Sequence, residues 1–272
     1  MREYKFSDFI LIPTPCISFG DVELRYSDDF FEPAEGENAI IEKTWERLLA
    51  EDSGRILYDG PMVRLNSFYY DGGKFVMDMQ RTSYKYLCGT NLRKPRAEDR
   101  YCADGIGICG AIKTADDKLL IGKRSRKVFE YPGYYHVVGG NMEPERHNNE
   151  EGIPDPFVAY MMEVAEETGI SITGNDIKMT GYCRNLDNHK PEMLFYVNLE
   201  VASREIVMDE EHTELLYLED SEKAICEFLS GNWSNTVPAG KAALAAYGMN
   251  SFGSERLNEV IEKFSSNNGG ES

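Results

Sequence analysis

Positive charge is scarce in this chain. Lysine and arginine number 29 against 47 aspartates and glutamates, leaving a net charge of −18 and a pI near 4.7. A surface this acidic repels polyanions, which argues against nucleic acid or anionic membrane as a main partner. Long apolar runs are missing too. The longest near the N-terminus, Phe9-Ile10-Leu11-Ile12, is too short for a secretory signal and has no cleavage site behind it. Nothing approaches the ~18 apolar residues that a membrane span needs. The four histidines, His136, His147, His189 and His212, are scattered without a zinc-ligand spacing. The six cysteines include no C-x-x-C pair, and 272 residues bury enough core to need no covalent staples. Reduced, mostly buried thiols in a cytoplasmic protein are the expectation. Neither an internal repeat nor a low-complexity domain is apparent.

What is present is concentrated in F-V-A-Y-M-M-E-V-A-E-E-T-G-I, residues 157–170. Glu163, Glu166 and Glu167 stand at i, i+3 and i+4, so a helix gathers three carboxylates on one face. Their repulsion costs roughly 0.2–0.5 kcal/mol per close pair, and a divalent cation would relieve it. Hard oxygen ligands select Mg²⁺ or Mn²⁺. Phe157, Met161, Val164, Ala165 and Thr168 form an inward stripe. It lies roughly opposite the glutamates, which are therefore expected to point away from the core. Asp155-Pro156 reads as N-cap and first helical residue, and Gly169 as the stop. A solvated acidic face is the plain alternative for a bare E-x-x-E-E. The paired Gly139-Gly140 ahead of it and the Thr168-Gly169-Ile170 at its end favour a site.

This segment resembles the Nudix box, whose pattern is G-x5-E-x7-R-E-U-x-E-E-x-G-U with U aliphatic. Gly140 matches the opening glycine, and Glu163, Val164, Glu166, Glu167, Gly169 and Ile170 match the closing half. The resemblance implies that Glu163 and Glu167 ligate metal directly and Glu166 directly or through water, with the Gly139 carbonyl adding an oxygen. There are two departures. Met162 replaces the box arginine that orients a helix glutamate, so that support must come from elsewhere or be weaker. The stretch before it is also lengthened, by an insert within residues 146–156 whose Gly152, Pro154 and Pro156 suit a surface loop. Either Glu143 or Glu145 would be the first box glutamate. A wider set of motifs is similar to one atypical Nudix branch, the animal UDP-glucose diphosphatases. It comprises T-S-Y-K-Y-L-C-G-T-N (82–91), A-D-G-I-G-I-C-G-A-I-K-T-A-D-D (103–117), R-S-R-K-V (124–128), Y-P-G (131–133), G-G-N-M-E-P (139–144) and R-N (184–185). That branch shares both departures.

The pattern of periodicity and turns predicts a small α+β N-terminal domain over 1–100, a second domain over 101–265, which the resemblance implies is the Nudix domain, and a disordered tail over 266–272. In the first, residues 37–51 read as a helix with Ile40, Ile41, Trp45, Leu48 and Leu49 on one side. Strands near 62–70 and 74–82 are joined at Asp71-Gly72-Gly73. In the second, strands are expected near 105–113, 118–124, 136–138, 177–184, 193–201 and 213–219. Helices follow at 221–230, 238–248 and 254–264. Mixed strands with helices on both faces fit the α/β class and the α/β/α sandwich that the resemblance implies.

Other residues are candidates by chemistry. Arg124 and Arg126, beside Lys123 at a strand end, offer forks for phosphate oxygens; a solvated strand end is the alternative. Tyr84 would stack on a base and Asn91 would read its edge, unless Tyr84, Lys85, Thr90 and Asn91 form a structural turn between domains. Arg184 and Asn185 end a strand from which they would reach a sugar or phosphate, and Glu143 is a further substrate-binding candidate. Asp209, Glu210, Glu211, His212 and Glu214 form an acidic loop, and Nudix enzymes often place the catalytic base on a late loop. Glu211, His212 and Glu214 all remain candidates, although such charge runs are more often solvated. The resemblance implies a Mg²⁺-dependent hydrolase of a nucleotide sugar, UDP-glucose or UDP-galactose first, releasing UMP and sugar 1-phosphate. The alternatives are ADP-ribose, NADH or CoA as substrate, or a non-catalytic nucleotide-binding module. Leu119 to Ser125 faintly resembles the upstream motif of CoA-cleaving members, but the rest of that motif is missing. The N-terminal region either shapes the pocket or makes a homodimer contact.

Overall fold

The computed structural model describes residues 2–51, 57–94, 96–207, 211–253 and 259. The chain opens with β1 (Tyr4–Lys5), β2 (Phe9–Ser18) and β3 (Val22–Phe30), followed by α1 (Glu37–Ala50). Next come β4 (Pro61–Asp71), β5 (Lys74–Ser83) and α2 (Tyr84–Thr90). Then β6 (Gly107–Lys113), β7 (Lys118–Arg124), β8 (Tyr135–His136) and β9 (Val138–Asn141) lead to α3 (Pro156–Thr168). The chain continues through β10 (Ile177–Asn185), β11 (Pro191–Asn198), β12 (His212–Glu219), α4 (Glu222–Asn232) and α5 (Pro238–Phe252). Of the helix expected at 254–264 only residue 259 is described, and the tail at 266–272 lies outside the described residues.

The large sheet runs β1-β2-β10-β11-β6-β7-β12, with β8 beside β7 and β9 beside β6. Pairing is antiparallel except between β11 and β6. Side chains alternate between its two faces, as strand geometry demands. Cys109, Leu119, Ile121 and Leu194 join one apolar cluster with α4 and α5. Ile108, Leu120, Met193, Phe195 and Val197 join the other, with Phe157, Tyr160 and Val164 of α3. The result is an α/β/α sandwich, as expected. The second cluster also contains Val63, Leu65, Met77 and Met79 from a separate sheet ordered β3-β5-β4. This small sheet is therefore fastened to the same face as α3, not tethered beside it.

Three findings differ from the sequence reading. The division at residue 100 is crossed by β2, which pairs with β10 from Phe9↔Asn185 to Ser18↔Lys178 and so belongs to the large sheet. Ile40 and Leu49 are exposed on α1, which buries only Ile41 and Trp45. The third concerns α3, whose most deeply packed residues include Tyr160 and Ala159, while Met161 and Ala165 are half-buried. The stripe is rotated because Tyr160 stacks on Phe195, ring centroids 4.9 Å apart, and so becomes a main contact with the sheet.

The ends of α3 behave as the sequence predicts. Asp155 accepts from Phe157 N at 2.8 Å, Pro156 is the first helical residue, and Gly169 closes the helix at φ 73°. The β4–β5 hairpin turns on Gly72 and Gly73, both with positive φ, as a tight two-residue loop requires. Five of the six cysteines are buried and all six are free thiols. No described helix is long and apolar enough to cross a membrane.

Candidate active site

Strand β9 runs antiparallel to β6 and delivers Gly139 and Gly140 to the start of a long loop that ends at α3. Both glycines are there for space. A Cβ on Gly139 would meet the Ile108 carbonyl at 2.2 Å, and one on Gly140 would meet Glu163 Oε1 at 2.2 Å. Gly139 thus lets β9 press against β6, and Gly140 lets the Glu163 carboxylate lie over the loop.

Two adjoining pockets open here. The first, about 490 Å³, is lined by Tyr58, Met62, Tyr84, Arg124, Lys127 and Phe129 among others. It is the aromatic and cationic side. The second, about 260 Å³, gathers Glu143, Glu163, Glu166 and Glu211 with Arg124, Arg146 and Lys190. Tyr58, Arg124, Glu130, Asn141, Glu143 and Glu211 line both. The small sheet contributes Met62 from β4 to the first pocket, so the N-terminal half shapes this cleft.

Within the second pocket the charges strain against one another. Burial first, then the carboxylates of Glu166 and Glu211, push Glu163 up to about 8, with Arg146 opposing. Glu166 takes Arg146 Nη2 at 2.5 Å, and the same guanidinium reaches Glu143 Oε1 at 3.3 Å. On the far wall Lys190 sits among three oxygens: Glu130 Oε1 at 3.3 Å, Glu130 Oε2 at 3.4 Å and Glu192 Oε1 at 3.6 Å. Burial works against the Lys190 ammonium, but the two glutamates more than offset it and hold it above its usual range. Burial pushes Glu192 up to about 7 despite Lys190. Burial and the nearby Arg124 keep His136 neutral, well below its ordinary range.

The structure separates the candidates read from the sequence. Glu163, Glu166, Gly139, Glu143, Glu211 and Arg124 meet at the second pocket, and Tyr84 lines the first, its hydroxyl 3.3 Å from Glu130 Oε1. Glu167 does not point away from the core as expected. It is only 7% exposed, accepts from Gly139 N at 3.2 Å and lies 3.7 Å from His212 Nε2. It ties the glycine loop to α3 from inside, and the reason is the rotated helix face noted above. Asn91 is buried and donates to Asp104 Oδ1 at 3.0 Å and to the Asn188 carbonyl at 2.9 Å, so it is spent on structure. Arg184 is held by Asp104 Oδ2 at 3.0 Å and the His189 carbonyl at 2.9 Å, outside both pockets. Asn185 donates to the Tyr131 hydroxyl at 2.7 Å. Arg126 is exposed and lines neither pocket. Glu214 pairs with Lys123 at 3.4 Å on the sheet edge, and Asp209 and Glu210 lie outside the described residues. Glu143 is the pocket glutamate of its pair, since Glu145 bonds Arg81 instead.

Sequence reasoning missed Arg146, Glu130, Lys190 and Glu192. The signal for Arg146 was a lone cation in an acidic insert. For the Lys190–Glu192 pair it was the alternation of strand side chains, which puts residues two apart on one face.

Among the described residues no three acidic, histidine or cysteine side chains already converge closely enough to cage a metal. The donor chemistry nevertheless fits a hard divalent cation. The set is all oxygen, it crowds one pocket, and burial, with the neighbouring Glu166 and Glu211, pushes Glu163 up to about 8. Glu163 and Glu166 would hold such an ion, facing Glu143 and Glu211.

No family model matches the chain. It is 26% identical over 254 residues to uridine diphosphate glucose pyrophosphatase NUDT22 of Homo sapiens, covering 79% of this chain and 82% of that protein. It is 26% identical over 202 residues to Nudix hydrolase 9 of Arabidopsis thaliana, covering 61% of this chain and 64% of that protein. Among solved structures, a MutT protein from Methanosarcina mazei Go1 aligns at TM-score 0.37 and 18% identity, covering 61% of this chain and 95% of that one. The two curated relatives bear out the resemblance read from residues 139–170.

Proposed function

We propose that this Nudix-type hydrolase splits the diphosphate bond of a nucleoside diphosphate sugar in a Mg²⁺- or Mn²⁺-dependent reaction. UDP-glucose or UDP-galactose is the first candidate, giving UMP and sugar 1-phosphate. The observation that carries this reading is the meeting of Glu163, Glu166, Glu143 and Glu211 with Arg124 and Lys190 in one pocket of a chain with net charge −18. Carboxylates alone would expel a diphosphate. With a divalent ion to neutralise them, the same pocket attracts it, and the ion supplies Lewis-acid polarisation and an acidified water.

The chain's own residues divide the remaining work. Arg124 lies between the two pockets with its Nε anchored on the Glu130 carbonyl at 3.1 Å, leaving its terminal nitrogens to meet phosphate oxygens. Tyr84 and Phe129, ring centroids 6.1 Å apart, offer aromatic surface to a base. The Glu130–Lys190–Glu192 wall offers acceptors and a buried ammonium suited to sugar hydroxyls. Glu211, whose carbonyl takes Ser125 N at 2.6 Å, is the loop carboxylate best placed to accept a proton from the attacking water; Glu214 lies further out along the strand. Positioning and charge, with little covalent chemistry, account for the rate in such a reaction.

The test is product analysis by anion exchange after incubation with UDP-glucose and Mg²⁺, with ADP-ribose, NADH and CoA in parallel. UMP with glucose 1-phosphate, abolished by EDTA, is expected. Cleavage of another panel member alone would keep the chemistry and replace the substrate. Silence across the panel, with UDP-glucose still binding, would make this a nucleotide-binding module.

A further inference from the structure

Two oddities of the box segment have a single structural explanation. Position 162 carries methionine where the Nudix pattern has arginine, and the segment before it is lengthened. The lengthened stretch is folded, not slack. His147 is 1% exposed and its Nδ1 accepts from Glu143 N at 2.9 Å, while its own backbone N donates to the Glu143 carbonyl at 3.1 Å. Asp155 N donates to the His147 carbonyl at 2.8 Å, which ties the end of the insert to its beginning. Asn149 Oδ1 accepts from both Glu151 N and Ile153 N at 3.0 Å, closing the far turn. This frame presents Arg146, next to the buried His147, toward the carboxylates of the second pocket. Its guanidinium spans Glu166 Oε1 at 2.5 Å and Glu143 Oε1 at 3.3 Å.

Met162 and Glu166 are i, i+4 neighbours on α3, so a cation at position 162 would reach the same carboxylate along the helix. We propose that Arg146 is a positioning residue for Glu166, delivered from the insert to the place that a cation at position 162 would otherwise serve. It fixes the rotamer of Glu166 beside Glu163 and links it to Glu143, so that the oxygens are set before a divalent ion arrives. The insert is then part of the site. This rests on the reading of Glu163 and Glu166 as cation-holding carboxylates. Because Arg146 and Glu166 are 42% and 50% exposed, their ion pair adds little to stability, and a purely structural role is distinguishable from a positioning one.

Mn²⁺ binding to the full chain, followed by the electron paramagnetic resonance of free Mn²⁺, separates the outcomes without relying on turnover. Arg146→Met is expected to weaken Mn²⁺ binding about 10–100-fold, the usual scale for losing the partner that orients a ligand. Its melting temperature should stay that of the parent. Arg146→Lys, which keeps charge but cannot bridge two carboxylates as a fork, should fall between. Met162→Arg in the Arg146→Met background should restore most of the lost affinity. Equal or tighter binding by Arg146→Met overturns the proposal, because Arg146 then competes with the metal for Glu166. Weakened binding that Met162→Arg does not restore overturns the equivalence of loop and helix cations. If the parent chain itself binds no Mn²⁺, the metal reading of the pocket fails and this proposal falls with it.

Discussion

Helix α3 and the loop that leads into it, residues 142–155, build the same pocket by opposite means. The helix is regular, capped by Asp155 and closed by Gly169, and its carboxylates are spaced by the helical period. The loop has almost no regular structure and is set by particular hydrogen bonds, above all that from Glu143 N to His147 Nδ1. Periodic elements distribute a set of like groups well, but they place opposite charges only at fixed offsets. The loop is free of that constraint, and it brings Glu143 and Arg146 to face Glu166 across the gap. The helix thus contributes Glu163 and Glu166, and the loop contributes Glu143 and the counter-charge of Arg146.

The largest effect should come from the helix side. Losing an orienting partner of a metal ligand costs roughly 10–100-fold, so Glu163→Gln should lower kcat with UDP-glucose and Mg²⁺ by more than about a hundredfold while the circular dichroism spectrum is retained. Glu167→Ala sharpens the contrast within α3. Glu167 accepts from Gly139 N from inside rather than lining the pocket, so removing that acceptor should lower the melting temperature as well as turnover.

The paired glycines give the next test. Gly139→Ala pushes a methyl into the Ile108 carbonyl, and overpacking of this kind costs about 1–3 kcal/mol, read as a lower urea midpoint. Gly140→Ala has the movable Glu163 carboxylate as its nearest neighbour, so it should spare the midpoint and raise the Mg²⁺ concentration needed for half-maximal turnover. Equal midpoints for the two variants would contradict the assignment of Gly139 to packing and Gly140 to the site.

Smaller effects fall at the junction of helix and loop. Asp155→Ala removes the cap on Phe157 N and should cost about 1 kcal/mol by thermal melting. His147 gives a pH signature. Burial, with Arg146 adding to it, lowers its pKa from 6.5 to about 4. The folded state therefore binds fewer protons than the unfolded state between those values. The stabilising contribution is fully present above pH 6.5 and lost as the pH falls toward 4. In a titration of melting temperature from pH 7 to 4.5, the advantage of the parent over His147→Asn should shrink on acidification. A constant difference would mean that the neutral Nδ1 acceptor is not what holds the loop.

Much of the large sheet and the ends of α3 were legible in the sequence, because β6, β7, β10, β11 and β12 are apolar-rich stretches bounded by turn residues. The β4–β5 hairpin announced itself through Asp71-Gly72-Gly73. Strands β1 to β3 did not, since Pro13 and Pro15 interrupt β2 and Val22–Phe30 is charged and largely exposed. That β2 joins β10 rests on non-local pairing that no local pattern reports. Within the site, Glu163, Glu166 and Arg124 were legible because helix period and strand ends place them. Arg184 and Asn91 had the right chemistry but are engaged by Asp104, a contact between segments that spacing cannot reveal. Arg146 and the Glu130–Lys190–Glu192 wall left only weak local signals, because contacts between segments assemble them.

The most direct test of the account is equilibrium dialysis of the metal-free chain against Mn²⁺, with the Glu163→Gln, Glu166→Gln double variant beside it. The account predicts saturable binding by the parent, strengthened by UMP, and its loss in a double variant that melts no lower than the parent. Equal Mn²⁺ binding by the two proteins would contradict it, for the carboxylates of α3 would then not be what holds the ion.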